Sequence, residues 1–146
     1  MKGNKGITLI ALVITIIVLL ILAGVSIAML SGDNSILGNA RKASDDTVVA
    51  NAKEATMLKV QEIMSDWYEG YYNSRTINKT LGAYIEEKFT AAPEGCELDS
   101  TKTVALSAAT DASPAKIGIK IKNSTVTGTI SLKTGEEGKI TWSDAT

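Results

Sequence analysis

Residues Ile7 to Leu30 form an uncharged apolar run of 24 residues, and any fold for this chain must find a place for it. At ~1.5 Å rise per residue, a helix over this run is about 36 Å long, more than the ~30 Å of a hydrocarbon core. Its polar interruptions are Thr8, Thr15, Gly24 and Ser26. Hydroxyls and glycine are tolerated in lipid because they leave no charge unpaired. A 146-residue chain has too little protein near this end to cover such a helix on every side. A secretory signal peptide has a shorter apolar region followed by a small-x-small cleavage site. Here Ser31-Gly32-Asp33-Asn34-Ser35 leads straight into another helical pattern. Lys2 and Lys5 precede the run, so the positive-inside rule predicts a cytoplasmic N-terminus and a single pass that sends residues 31–146 across the membrane.

The segment Lys5-Gly6-Ile7-Thr8-Leu9-Ile10-Ala11-Leu12 resembles the class III signal of type IV pilins and of the pseudopilins of type II secretion systems. The resemblance covers about the first 30 residues closely and the following helix loosely. It implies cleavage by a prepilin peptidase between Gly6 and Ile7, with Lys2 and Lys5 as leader charges and Ile7 as a methylated terminus. It also implies a helix stored in the membrane, then assembled with identical or related pilin subunits by a platform protein and an ATPase. The product would be an extracellular filament at the cell surface. Leu9, Val13, Ile16, Ile17, Leu20, Leu22 and Gly24 would then pack at the filament's centre. The chain departs from the family in two places. Ile7 stands where Phe, Met or Leu is usual, and Ala11 stands where the family carries Glu. That Glu is thought to pair with the N-terminal ammonium of a neighbouring subunit, which Ala11 cannot do; Thr8 and Thr15 are the remaining polar groups for that amine.

Composition narrows the function classes. With 15 basic and 16 acidic residues the net charge is −1, and loss of Lys2 and Lys5 would take it to −3. Without a basic tract the chain is a poor nucleic-acid binder. Cys96 is the sole cysteine, so no intramolecular disulfide forms, and a loop or partly buried thiol is expected. The chain has no histidine, which removes the commonest general base and most zinc sites. The carboxylate pairs Asp45-Asp46, Glu86-Glu87 and Glu136-Glu137 are sequence neighbours, which point to different sides of an element. No enzyme and no cofactor or metal are expected. Asn78-Lys79-Thr80 and Asn123-Ser124-Thr125 match a glycosylation sequon, a tripeptide that arises often by chance.

Beyond the apolar run, Asp33, Asn34 and Ser35 are N-cap residues for a second helical segment. From about Ala40 to Tyr72, residues Val49, Ala52, Thr56, Val60, Ile63, Trp67 and Tyr71 recur every three or four positions, widened by Met57 and Met64. The aromatic end, Trp67, Tyr68, Tyr71 and Tyr72, reads either as a ligand-stacking box or as core, and core packing is favoured. A short helix is predicted over Ile77–Phe89. Strands are predicted over Thr103–Ser107, Lys116–Lys122, Thr125–Leu132 and Lys139–Trp142, with a tight Asn123-Ser124 hairpin.

The expected fold class is therefore α+β and pilin-like: a long N-terminal helix, half transmembrane, packed on a small antiparallel sheet of three to four strands. The organisation is 1–6 leader, 7–30 transmembrane or filament-core helix, 31–75 amphipathic continuation, and 76–146 C-terminal globular part. The alternative function is a single-pass, membrane-anchored extracellular binding or sensor domain that never polymerises.

Overall fold

The computed structural model describes residues 4–32 and 35–143, and side chains from Thr8 onward within them. The chain forms two compact units, Met1–Asp46 and Thr47–Thr146. Helix α1 runs from Asn4 to Ser31, and α2 from Ile36 to Tyr68. Ser35 caps α2: its hydroxyl accepts the Gly38 N–H at 3.0 Å, and its own N–H donates to the Gly32 carbonyl at 2.8 Å. A serine oxygen here satisfies a helix donor that would otherwise lack a partner. The other two cap candidates, Asp33 and Asn34, lie outside the described residues, as does Lys2.

In the second unit the buried face of α2 is Ala52, Thr56, Val60, Ile63 and Trp67, the helical stripe expected from the sequence. It packs on a four-stranded antiparallel sheet of order β1-β2-β3-β4. The strands are Cys96–Leu98, Lys116–Ile121, Thr127–Ser131 and Ile140–Ser143. The α+β class and the helix-on-sheet arrangement match the expectation. The core is carried by Ile85, Ile119, Ile121, Ile130 and Leu132, each almost wholly enclosed. Period-two alternation on β2 and β3 places the isoleucines inward and Lys116, Lys120, Thr127 and Thr129 outward.

Several details differ from the sequence reading. The short helix, α3, spans Leu81–Lys88 and begins four residues later than predicted. Thr80 is its N-cap, and Ile77 instead turns back against Gly70, where an added Cβ would come within 2.3 Å of its Cδ1. Thr103–Ser107 is not a strand: only Val104 bridges to Lys116, followed by a 3₁₀ turn at Leu106–Ala108. The first strand is Cys96–Leu98, too short to show alternation. The β2–β3 connection is wider than a two-residue hairpin, because the ladder ends at Lys120 with Thr127 and Asn123 takes a left-handed φ of 57°. Met57 is exposed rather than part of the buried face.

The aromatic end of α2 is the largest correction. Trp67 is buried, but Tyr68, Tyr71 and Tyr72 are exposed. After Tyr68 the chain makes a π-helical turn, Glu69–Asn73, with the Ser74 N–H donating to the Glu69 carbonyl at 3.0 Å. A π turn holds more residues per turn than an α turn, so positions spaced for the core stop facing it.

The β3–β4 corner carries one further device. Gly138 N–H donates to the Ser131 carbonyl at 2.8 Å, and Ser131 N–H donates to the Lys139 carbonyl at 2.9 Å. Two residues thus oppose one, with Gly138 at φ 80°. This is a G1 bulge, which glycine allows because it has no Cβ to clash at positive φ.

Candidate membrane and assembly helix

Helix α1 is apolar around its whole circumference, a pattern that fits burial in lipid or in other protein rather than a water-facing surface. It is long and apolar enough to cross a membrane, and none of its most apolar stretch is buried. Leu9, Val13, Ile16, Ile17, Leu20 and Leu22 are all exposed, and nothing lies within 4 Å of where a Cβ on Gly24 would sit. Covering a side chain of this kind is worth ~1.5–3 kcal/mol, so those six alone represent on the order of 10 kcal/mol of unsatisfied burial.

The hydroxyls of Thr15 and Ser26 are satisfied within the helix. Ser26 donates to the Leu22 carbonyl at 2.8 Å. Thr15 donates to the Ala11 carbonyl and, at 3.2 Å, to the Leu12 carbonyl. Such back-bonding keeps these two donors from facing hydrocarbon unpaired, the condition a membrane segment must meet. The Thr15 oxygen keeps lone pairs that can accept from an ammonium, whereas Ala11 offers no side-chain acceptor. Lys5, Gly6 and Ile7 lie in the first turn of α1, and their side chains are outside the described set.

The carboxylate pairs do not converge. Glu86 accepts the Leu106 N–H at 3.2 Å, and Glu87 pairs with Lys79. Glu137 accepts the Gly135 N–H at 2.7 Å. Hydrogen bonding from Lys79, then its charge, holds the Glu87 carboxyl below its ordinary value. Among the described residues no three metal-ligating side chains lie together. Cys96 sits on β1, buried rather than in a loop, with Sγ 3.3 Å from the Thr56 hydroxyl and 3.6 Å from the Ala52 carbonyl. It is a packed structural thiol tying β1 to α2.

Two surfaces of the second unit stand out, the first of them not read from the sequence. A groove of about 1160 Å³ runs between α2 and β4, with Met57, Met64, Ile140 and Trp142 in its walls and Lys53 5.8 Å from the centre of the Trp142 ring. The second is the tyrosine cluster after α2, for which core packing was favoured over a stacking surface and whose tyrosines are exposed. Gly70, which interrupts the aromatic run, is the sequence signal that could have revealed it. Comparison with protein-family models, curated proteins and solved structures returned no match.

Proposed function

We propose that this chain is a pilin-like structural subunit. It is cut between Gly6 and Ile7, held in the membrane by α1, and assembled by burying α1 among like helices. It acts by assembly and carries no catalysis. The supporting observation is the uncovered apolar surface of α1 next to the Lys5-Gly6-Ile7-Thr8 segment. Lipid and a helical filament core both shield that surface from water, so transfer between them needs no large change in hydrophobic exposure. The N-terminus faces the cytoplasm before assembly, and residues 31–146 end at the outer surface.

Ala11 favours a second reading, a permanent anchor for an extracellular domain, because a subunit without the family's Glu gives a neighbour's ammonium no carboxylate. The two readings separate at one bond. Intact-mass measurement on protein extracted from its native membrane should show loss of residues 1–6, and Gly6→Val should retain them. An unprocessed, monomeric natural product would overturn the subunit reading and leave the anchor.

A further inference from the structure

We propose that the tyrosine surface at the end of α2 is a binding site for an oligosaccharide. The proposal rests on the second unit alone and is independent of the fate of α1.

Tyr71 stacks on Trp67 with ring centroids 4.6 Å apart and planes 16° from parallel. One face of Tyr71 is thereby fixed against the buried indole. Tyr72 stands nearly perpendicular to Tyr71, at 5.0 Å and 80°, so the two rings make a floor and a wall. Tyr68 stacks parallel to Tyr72 at 6.0 Å and backs that wall. Rings held in this way present rigid amphipathic area at little cost in conformational entropy. Trp67 also donates its indole N–H to the Lys79 carbonyl at 2.8 Å, which holds the loop carrying Asn78 beside the rings.

Two depressions adjoin here, of about 430 and 470 Å³, and they share Tyr71, Tyr72 and Asn78. Each is on the scale of a small-ligand site, and the shared wall suits a ligand built of successive ring units. The polar rim offers the Asn78 amide, the tyrosine hydroxyls and the Arg75 guanidinium. The Arg75 side chain makes no hydrogen bond or ion pair among the described residues, so its five N–H donors are available for hydroxyl oxygens. Lys79 is paired with Glu87, and Glu137, which also lines the first depression, accepts the Gly135 N–H at 2.7 Å, so both charges are engaged and the ring faces themselves are uncharged. Apolar ring faces beside a rim of amide, hydroxyl and guanidinium groups match a pyranose, which has C–H faces and a hydroxyl edge.

The backbone under this surface is held away from its ordinary preferences. The π turn carries Tyr71 and Tyr72, and Arg75 takes a φ of 51°. A residue other than glycine in that region costs on the order of 1 kcal/mol or more, and such strain gathers at ligand sites.

The test is saturation-transfer NMR on the full chain in micelles of a sugar-free zwitterionic detergent, with chitotriose and cellotriose as probes. We expect saturation transfer to ring C–H protons from at least one probe. The signal should fall at least about fivefold in both Tyr72→Leu and Arg75→Gly. Thermal unfolding followed by tryptophan fluorescence should show Tyr72→Leu still folded with a single cooperative transition, and should raise the midpoint of Arg75→Gly, which relieves the strain. Absence of transfer above micelles alone for both probes would overturn the proposal. So would transfer that survives both substitutions, or binding shown only by a hexaproline peptide in the same assay.

Discussion

Gly118 offers the sharpest test of the packing argument. It sits inside β2, where a glycine is normally a weakness, yet it is buried because residues 99–103 fold across it. A Cβ at this position would lie 2.4 Å from the Asp99 carbonyl oxygen and 2.7 Å from the Lys102 Cβ. Three hydrogen bonds hold the crossing: Asp99 N–H to the Gly118 carbonyl at 2.8 Å, Gly118 N–H to the Thr103 hydroxyl at 3.0 Å, and that hydroxyl to the Asp99 carbonyl at 2.6 Å. Gly118→Ala must push the crossing away. Losing such bonds is worth ~1 kcal/mol each, and forced overpacking adds ~1–3 kcal/mol. Restricting the unfolded chain returns only ~0.4–1 kcal/mol. With the two bonds that join the crossing to Gly118 lost, the net expectation is a loss of about 2–5 kcal/mol. Both tryptophans, Trp67 and Trp142, belong to the unit that contains Gly118, so their fluorescence reports it without interference from α1. In urea, with the full chain in micelles, the midpoint should fall by on the order of 1–2 M. A variant within ~0.5 kcal/mol of the parent would refute the claim that the crossing is fixed against β2.

Other expectations follow from the same reasoning. Ile119→Ala removes a fully enclosed side chain and should cost ~2–5 kcal/mol in the same assay, whereas Thr56→Val should cost only ~1 kcal/mol by losing its bonds to Ala52 and Cys96. Leu20→Arg places a charge on an uncovered part of α1, and a glycosylation-reporter insertion assay should show a penalty of ~3 kcal/mol or more, against near neutrality for Leu20→Ile. Asp99 is held below its ordinary 3.8, first by the Thr101 hydroxyl, and Glu87 below its ordinary 4.5 by Lys79. Carboxyls with depressed folded-state values stabilise above their unfolded values, and that contribution is lost as pH falls through the folded ones. Since the chain has no histidine, the urea midpoint should be level between about pH 6 and 7 and should decline only in acid, modestly because both groups are at the surface.

The parts of the fold that were legible in the sequence are those set by local periodicity. The α2 stripe from Ala52 to Trp67 and the alternating isoleucines of β2 announce their buried faces without reference to anything distant. What was not legible depends on partners far along the chain. Cys96–Leu98 is a strand only because Ile119–Ile121 lies beside it, and Val104 is a single bridge because Thr103 is engaged with Gly118. The tyrosines kept helical spacing on paper, but the π turn at Gly70 removed them from the core. For the candidate helix, the uncovered surface of α1 was plain from composition, while its processing at Gly6 rests on resemblance.

The bulge at Gly138 and Lys139 has a meaning for life in a crowd. In the β3–β4 ladder, Thr141 and Ser143 face β3, so the backbone groups of Ile140 and Trp142 point outward along an open border of the sheet. Neighbours packed side by side at high local concentration would be drawn to zip onto such a border and stall in aimless aggregates. A kink and a lysine at the entrance to that border roughen the template and disfavour such pairing.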